Sequence, residues 1–350
     1  MFSHSRLSLF LLLIGTTLAA PLITVGRSPI SVQVVIGDNC LSGFGPSRQD
    51  VVATLRTPTG AVRGRFQAAS DKFGLWGGCF EPSEPSTFVN GGDQLRVVVG
   101  KQSRSITIPS LTPRVDRVSD TIEGTTRPHT SVDILIAHRD SFRSTEFFFY
   151  SDKAGADGKF KVDTSADFDL IGFDNVTVVA GRGDDFFRAT ALAPGVQIAN
   201  QSNFVTGSAN DGRRVVLTLT DRNERLKAKA NAGSVQFGLF EASMFNADGN
   251  AAYPSTGDWL IGSFARDAVV QMPVNALTGV ARTDRVTGKC MPDSPYKLIV
   301  RHRRLFGFTD SKGRFDRDLS FRMNVQRGDQ MSLYCMFPTG DVWQDVDIAL

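Results

Sequence analysis

Residues 124–136 read GTTRPHTSVDILI, in which a glycine precedes a turn segment and then an apolar strand. Three related stretches begin at Gly43 (GFGPSRQDVVATL), Gly207 (GSANDGRRVVLTL) and Gly288 (GKCMPDSPYKLIV). Successive glycines lie 81, 83 and 81 residues apart. Because self-similarity at a constant period is the signature of a repeat protein, we predict four units of about 80 residues each.

Two further features recur in the same order. An aspartate that follows a glycine and precedes alternating apolar residues occurs at Asp93, Asp258 and Asp329, and at Asp174 with one residue inserted after the glycine. A Gly-x-aromatic element occurs as Gly74-Leu-Trp76, Gly158-Lys-Phe160 and Gly313-Arg-Phe315, with a degenerate Gly233-Ser-Val235 in the third unit. We predict structural turns at these aspartates and glycines, with a positive φ at Gly74, Gly158 and Gly313 ahead of a core aromatic residue.

The units are predicted to be β-sandwiches. Apolar and polar residues alternate over 132–136 and 215–219, as in half-buried strands, and Gly, Asp, Asn and Pro separate such runs. The one helix candidate is weak and covers 223–232 (NERLKAKANA). Many short strands with frequent turns predict an all-β fold of four tandem immunoglobulin-like β-sandwiches, at residues 20–113, 114–199, 200–283 and 284–350.

The segments 109–120, 194–203 and 277–285 are interpreted as connectors between units. Since these connectors are short, the units are expected to stack end to end, restrained in angle but without a shared core. At roughly 35 Å per unit, such a rod would be about 140 Å long.

The N-terminus has the layout of a secretory signal. Arg6 precedes an apolar run over 7–14, and small residues follow over 15–20. The run is less than half the ~20 apolar residues that a spanning helix needs, so residues 1–19 are predicted to be a cleaved signal peptide. No later apolar stretch approaches membrane length, so the mature chain is expected to have no membrane span and to be secreted or surface-located.

Four cysteines follow the predicted signal. An even number in an exported chain indicates two disulfides, for which three pairings exist. Position favours Cys40–Cys79 and Cys290–Cys335, which close segments of 39 and 45 residues. Zinc sites use closely spaced ligand pairs such as C-x-x-C, which the sequence lacks, so no metal and no cofactor are predicted.

Composition limits the function classes. The 39 Lys and Arg residues against 36 Asp and Glu give a net charge of +3, which disfavours a nucleic-acid binder. With 41% hydrophobic residues and 26 Phe, the chain has enough apolar material for folded cores.

The stretches Asp71-Lys-Phe-Gly-Leu-Trp76 and Asp310-Ser-Lys-Gly-Arg-Phe315 resemble the Asp-x-x-Gly-x-Phe element of tandem immunoglobulin-like repeats in secreted or surface-attached bacterial proteins. This resemblance covers nearly all of the mature chain. It implies a stalk, spacer or adhesion module and transfers no catalytic residue. The antibody-type Cys…Trp…Cys core is absent, so the relationship would be distant.

Several motifs have both a functional and a structural interpretation. The acidic groups Asp310/Asp316/Asp318 and Asp167/Asp169/Asp174 are fragments of a calcium loop or, more simply, β-turns. Arg182-Gly183-Asp184 is the tripeptide that integrins recognise, or an ordinary hairpin tip. Asn175 and Asn200 begin glycosylation sequons, which matter only in a eukaryotic secretory pathway.

Aromatic and basic runs allow similar alternatives. The runs 147–150 (FFFY) and 186–187 (FF) are interpreted as core strands or as a carbohydrate-binding face. The run 301–304 (RHRR) is a solvated edge strand or a contact for an anionic polymer. After signal removal the histidines are His129, His138 and His302, and no hydrolase motif accompanies them, so no enzyme is predicted.

The sequence therefore predicts an exported structural or adhesive rod at or outside the cell surface. Its expected partner is a cell-envelope or extracellular protein or glycan, and not a nucleic acid. One alternative is a carbohydrate-binding protein that uses exposed aromatic faces. A secreted hydrolase with a site between units is a second.

Overall fold

The computed structural model describes residues 29–81, 87–200, 202–210, 212–233, 238–255, 257–264, 269–273, 277–280 and 283–349. Within these ranges the chain forms 28 β-strands and no α-helix. The predicted signal peptide, residues 1–19, lies outside them. No helix that could cross a bilayer occurs in the described part of the chain.

Each unit contains seven strands. Unit 1 has β1 (Ser31–Val35), β2 (Cys40–Phe44), β3 (Asp50–Arg56), β4 (Val62–Ala69), β5 (Leu75–Cys79), β6 (Gln94–Val99) and β7 (Gln102–Thr107). Unit 2 has β8 (Thr112–Asp116), β9 (Thr121–Thr125), β10 (Ser131–His138), β11 (Glu146–Lys153), β12 (Lys159–Asp163), β13 (Asn175–Arg182) and β14 (Asp185–Leu192).

The second half of the chain repeats this series. Unit 3 has β15 (Gly195–Ala199), β16 (Phe204–Ser208), β17 (Arg214–Thr220), β18 (Leu226–Gly233), β19 (Leu239–Ser243), β20 (Trp259–Ser263) and β21 (Val269–Pro273). Unit 4 has β22 (Leu277–Val280), β23 (Arg285–Lys289), β24 (Pro295–Val300), β25 (Arg303–Phe308), β26 (Arg314–Asp318), β27 (Gln330–Met336) and β28 (Val342–Ile348).

All four units have the same sandwich topology. The first, second and fifth strands form one sheet, as in β1-β2-β5. The fourth, third, sixth and seventh strands form the facing sheet, as in β4-β3-β6-β7. This arrangement is immunoglobulin-like, so the predicted fold class of tandem all-β sandwiches is confirmed.

The first repeated sequence feature is explained by packing between two strands. A Cβ placed at Gly124 in β9 would lie 2.4 Å from the ring of Phe160 in the neighbouring β12. The second strand needs a glycine there because the aromatic ring of the fifth strand occupies the side-chain position. The same close approach joins Gly43 to Trp76, Gly207 to Phe240 and Gly288 to Phe315.

Two expectations about local structure are wrong. The weak helix candidate 223–232 is a turn followed by β18, in which buried and exposed residues alternate because one face covers the core of unit 3. The predicted connectors are not simple linkers. They contain β8, β15 and β22, which are the first strands of units 2, 3 and 4.

The expectation of end-to-end stacking is also wrong. Strand β1 of unit 1 pairs in parallel with β14 of unit 2, so that Gln33 lies opposite Phe186. Strand β15 of unit 3 pairs in the same way with β28 of unit 4, so that Gln197 lies opposite Val342. Each pairing joins two sandwiches side by side through a continuous seven-stranded sheet.

The hydrophobic cores follow this lateral arrangement. Buried residues of units 3 and 4 form one continuous cluster that extends from Val196 to Ala349. Units 1 and 2 have separate clusters, but Phe187 of β14 is buried in the cluster of unit 1. The expectation of units without a shared core therefore fails for units 3 and 4, because their first and last strands lie side by side.

Both disulfides join the pairs expected from the sequence. Cys40 and Cys79 lie opposite each other in β2 and β5, within one sheet. Cys290 follows β23 and bonds to Cys335 in β27, with 5.8 Å between the Cα atoms. The second disulfide therefore connects the two facing sheets of unit 4, whereas the first connects neighbouring strands.

Candidate functional site

The Gly-x-aromatic turns are the same structure in all four units. Gly158 has φ of 78°, and a Cβ there would lie 2.4 Å from the Thr126 carbonyl oxygen. Gly74 and Gly313 share both properties. In unit 3 the equivalent is Gly238, with φ of 69° and a Cβ position 2.2 Å from the Ala209 carbonyl oxygen. The assignment of Gly233 was wrong, and Gly238-Leu-Phe240 is an intact element that sequence analysis missed.

The four repeated aspartates also share one geometry. Asp93 accepts a hydrogen bond from the Asn90 backbone N–H at 2.8 Å, and its own N–H donates to the Asn90 carbonyl oxygen. Each carboxylate therefore closes the turn that starts the sixth strand. The equivalent turns pair Asp174 with Ile171, Asp258 with Ser255, and Asp329 with Gln326.

Each of these carboxylates pairs with a different cation. Arg63 lies 2.7 Å from Asp93, and Arg301 lies 2.9 Å from Asp329. Lys227 contacts Asp258. In unit 2 the partner is His138, whose Nδ1 lies 2.9 Å from the Asp174 carboxylate. Only the unit 2 pair contains a side chain that titrates near neutral pH.

The environment of His138 favours its charged form. Burial opposes that form, but the hydrogen bond and charge of Asp174, with the charges of Asp140 and Glu146, outweigh it and raise the pKa of His138. The ring also lies 4.9 Å from the ring of Phe168. His138 ends β10, so its protonation acts at the base of the loop formed by residues 139–145.

A buried carboxylate connects units 1 and 2 beside their shared sheet. Asp185, at the start of β14, accepts the Val32 backbone N–H of β1 at 3.1 Å. Its other oxygen accepts a hydrogen bond from Nη2 of Arg104, and Nη1 of the same arginine donates to the Ile30 carbonyl oxygen. The Asp185 side chain is 1% exposed. We call this arrangement the first lock.

The second lock repeats the first between units 3 and 4. Asp341, just before β28, accepts the Val196 backbone N–H of β15 at 2.8 Å. Arg117 donates to Asp341 at 3.2 Å and to the Pro194 carbonyl oxygen at 2.6 Å. Burial raises the pKa of Asp341, although Arg117, the Val196 N–H and the Thr339 hydroxyl favour the carboxylate.

The two locks show that the structural repeat is a pair of units. Val32 and Val196 correspond to each other, as do Asp185 and Asp341. The arginines differ in origin, because Arg104 belongs to unit 1 of the same pair. Arg117 instead follows β8 of unit 2, so the second lock also ties the first pair of units to the second.

Further contacts reinforce this junction between the pairs. Gly172 of unit 2 donates its backbone N–H to the Thr339 carbonyl oxygen of unit 4 at 2.8 Å. The Asn210 side chain of unit 3 both accepts from the Val115 N–H and donates to the Val115 carbonyl oxygen. In the 139–145 loop, the Phe142 ring lies 6.4 Å from that of Tyr334. Unit 2 therefore contacts both units of the following pair.

The aromatic runs are only partly in the core. Phe147 and Phe149 are 56% and 44% exposed, and they lie on the outer face of the first seven-stranded sheet. Phe186 of β14 is also exposed, whereas Phe187 is buried. This alternation follows from the strand geometry, in which neighbouring side chains point to opposite faces. The core interpretation, in which at least alternate residues point inward, therefore holds for Phe187, whereas these three residues face outward.

The acidic groups do not converge. Asp310 accepts the backbone N–H groups of Lys312 and Arg314, which lower its pKa and form the expected turn. Asp174 pairs with His138, whereas Asp167 accepts the Tyr150 hydroxyl at 2.6 Å. Over the residues that the structure describes, no three acidic, histidine or cysteine side chains are grouped to hold a metal ion.

The remaining motifs are the Arg182-Gly183-Asp184 tripeptide and the two glycosylation sequons. Arg182-Gly183-Asp184 forms the tip of the β13–β14 hairpin, where Gly183 has φ of 61°. Asn175 is exposed in β13. The Asn200 side chain accepts a hydrogen bond from Trp343 Nε1 at 3.3 Å, and residue 201 of its sequon lies outside the described residues.

Comparisons with known proteins give no sequence relative. No protein-family model matches the chain, and no curated protein matches it. Among solved structures, a tetra-tandem repeat in the extending region of a large adhesion protein is 14% identical, with a TM-score of 0.18, covering 92% of this chain and 99% of that one.

Two other solved structures are similarly distant. The BSP domain of a biofilm-associated protein is 6% identical, with a TM-score of 0.20, and the match covers 95% of this chain and 98% of that one. The E. coli alpha-2-macroglobulin in its native conformation is 9% identical, with a TM-score of 0.17, covering 93% of this chain and 28% of that one. The fold is established by the strand order described above.

Proposed function

We propose that the protein is an exported, non-enzymatic structural or adhesive protein at or outside the cell surface. In this role its four sandwiches form one stiff body that carries a contact surface away from its attachment point. The observation that carries the proposal is the pair of locks, in which Asp185 and Asp341 hold the first strand of a neighbouring unit. Its partner would be a protein or glycan of the cell envelope or its surroundings.

The locks support this role because they resist relative motion of the units. A buried carboxylate that loses its partners retains an uncompensated charge, at a cost of about 3–5 kcal/mol. Rotation of unit 1 against unit 2 would separate Asp185 from both Val32 and Arg104. A spacer or adhesion module benefits from such stiffness, since a stiff body keeps its contact surface at a fixed distance from its attachment point.

The location is tested on intact cells of the source organism. Cells are treated with a protease that cannot enter them, and the protein is followed with antibodies. We expect the protein to be degraded on intact cells or recovered from the medium, while a cytoplasmic marker remains protected. Protection of the protein together with that marker would contradict the proposal.

The adhesive role is tested by removing the gene. Cells without it are expected to attach less to their natural surface, and the wild-type gene should restore attachment. The Asp185→Ala/Asp341→Ala variant, which breaks both locks, should restore it less well at equal surface abundance. Equal attachment with and without the gene would contradict an adhesive role.

A second candidate function is carbohydrate binding on the outer sheet face. The observation that favours it is the exposure of Phe147 and Phe149, which alternate along β11 and project about 7 Å apart. Aromatic faces of this kind pack against the C–H faces of sugar rings. On a glycan array, Phe147→Ser/Phe149→Ser should lose whatever neutral glycans the wild type binds, whereas an array without neutral ligands contradicts this candidate.

A further inference from the structure

A cleft between units 2 and 4 is rich in arginine. It is lined by Arg143 of the 139–145 loop and, in unit 4, by Arg304, Arg317 and Arg322. Asp318 is the one carboxylate among the described residues that line it, so four positive charges and one negative charge leave a net charge of +3. A concave surface of one charge sign concentrates ions of the opposite sign.

Two of these arginines are held in place by uncharged groups. Arg317 donates to the Tyr296 hydroxyl and to the Phe306 carbonyl oxygen, both uncharged acceptors. The guanidinium of Arg143 lies 5.5 Å from the centre of the Phe306 ring. Across the described ranges, none of the four cleft arginines has a carboxylate within ion-pair distance.

The one acidic group in the cleft is already engaged. Asp318 accepts hydrogen bonds from the backbone N–H of Ser320 at 2.9 Å and from its hydroxyl at 2.6 Å. The charge of the cleft also affects a neighbouring side chain. Burial and the positive charges of Arg304 and Arg139 lower the pKa of Lys297. The positive charges of the cleft therefore outnumber its single negative charge.

We propose that this cleft binds an acidic polysaccharide, with the arginines on its carboxylate or sulfate groups and the Phe306 ring beside its sugar rings. Guanidinium groups form paired hydrogen bonds with such planar or tetrahedral anions. Phe306 is the one aromatic residue among the described residues that line the cleft. This inference rests on the proposed surface role and names the class of its partner.

The shape and total charge favour this ligand over other polyanions. The cleft lies between two sandwiches, so a flat lipid surface does not fit into it. A duplex nucleic acid is normally bound by a broad basic face, and the whole protein carries only +3. Single-stranded nucleic acid is the remaining competitor and forms one arm of the test.

Binding is measured by calorimetry on the mature chain with polymers that share one backbone. Carboxymethyl-dextran and dextran sulfate carry the two anionic groups, uncharged dextran is the neutral control, and oligo-dT is the nucleic-acid arm. We expect both charged dextrans to bind, with affinity falling as salt rises, and dextran not to bind. Binding of neither charged dextran, or equal binding of dextran, would overturn the proposal.

The site is tested with two double variants, one in the cleft and one in unit 3, that each remove two arginines and so have the same net charge. Arg304→Ala/Arg322→Ala should weaken binding of the preferred charged dextran by roughly tenfold to a hundredfold, since bonds to charged groups are lost. Arg304→Lys keeps the positive charge but lacks the planar guanidinium that forms paired hydrogen bonds, so it should give an intermediate loss of affinity. The control Arg222→Ala/Arg225→Ala removes two exposed arginines of unit 3 and should leave affinity nearly unchanged.

Three results would overturn the proposal, the first two by rejecting the site and the third by rejecting the ligand class. These are wild-type affinity in Arg304→Ala/Arg322→Ala, an equal loss in the unit 3 control pair, and oligo-dT binding as tight as that of the charged dextrans. Circular dichroism of each variant checks that it is folded. These outcomes are independent of the surface-protease and attachment tests, so the ligand assignment can fail while the surface role stands.

Discussion

Asp341 accepts the backbone N–H of Val196 at 2.8 Å, although 145 residues separate the two along the chain. The carboxylate of unit 4 thus occupies a position beside the first strand of unit 3, where it extends the parallel pairing of β15 with β28. A backbone donor at the end of a strand pair is satisfied by a side chain. The junction is therefore specified by one residue and not only by hydrophobic contact.

Breaking this contact should destabilise the protein strongly. Asp341→Ala leaves the buried guanidinium of Arg117 without a carboxylate, for an expected loss of about 3–5 kcal/mol in the free energy of unfolding. Denaturant titration measures it. Asp316→Ala, which removes an exposed ion pair with Arg285, is the control and should change stability far less. Similar midpoints for both variants would contradict a structural role of the lock.

Stability should depend on the protonation of His138. Its folded pKa is raised above the unfolded value of 6.5, so its contribution is complete below about pH 6.5 and is lost as pH rises through the folded pKa. The stability difference between wild type and His138→Gln should therefore shrink from pH 5.5 to pH 8.5. His302→Gln is the exposed control. A difference that is constant or grows with pH would refute the Asp174 pairing.

Two glycines of unit 3 should respond oppositely to alanine. Gly238→Ala places a Cβ 2.2 Å from a carbonyl oxygen at a positive φ, so we expect a loss of about 1–3 kcal/mol. A Cβ at Gly233 meets nothing within 4 Å, so Gly233→Ala should be neutral or stabilise by about 0.4–1 kcal/mol. Thermal denaturation compares them. An equal change of stability in both variants would contradict the assignment of Gly238 as the turn residue.

Two phenylalanines near β11 should also differ. Phe142 lies against Tyr334 of unit 4, so Phe142→Ser should loosen the 139–145 loop and increase its cleavage by proteases. Phe147 is exposed, so Phe147→Ser should leave cleavage of that loop unchanged. Mass spectrometry locates the cuts. Equal protection in both variants would show that the loop is not held by unit 4.

The fold was predictable because its repeated features are local. Three residues recur in each sandwich: a glycine in the second strand, a glycine in the turn before the fifth strand, and an aspartate before the sixth strand. Each is required by contacts within its own sandwich. Gly124 avoids the Phe160 ring, and Asp174 closes its own turn. Such constraints act over short distances, so they recur at a fixed period in the sequence. The disulfide pairs followed from the same locality.

The arrangement of the units was not predictable from those features. The pairing of β1 with β14 joins segments about 150 residues apart, and neither strand has a pattern that distinguishes a lateral partner from solvent. One signal was available. Gly183-Asp-Asp185 and Gly340-Asp341 precede the seventh strands of units 2 and 4, whereas Gly100-Lys-Gln102 precedes that of unit 1 without an aspartate. The exposure of Phe147 was hidden because a run of four aromatic residues has no visible alternation.

The locks alternate along the chain, because the seventh strands of units 2 and 4 each pair with the first strand of the preceding unit. The seventh strand of unit 1 begins at Gln102 after Gly100-Lys101, so unit 1 has no aspartate where Asp185 and Asp341 stand in units 2 and 4. Insertion or deletion of one unit would place a first strand beside such an edge. An engineered array that is to keep its locks would therefore be lengthened or shortened in steps of two units.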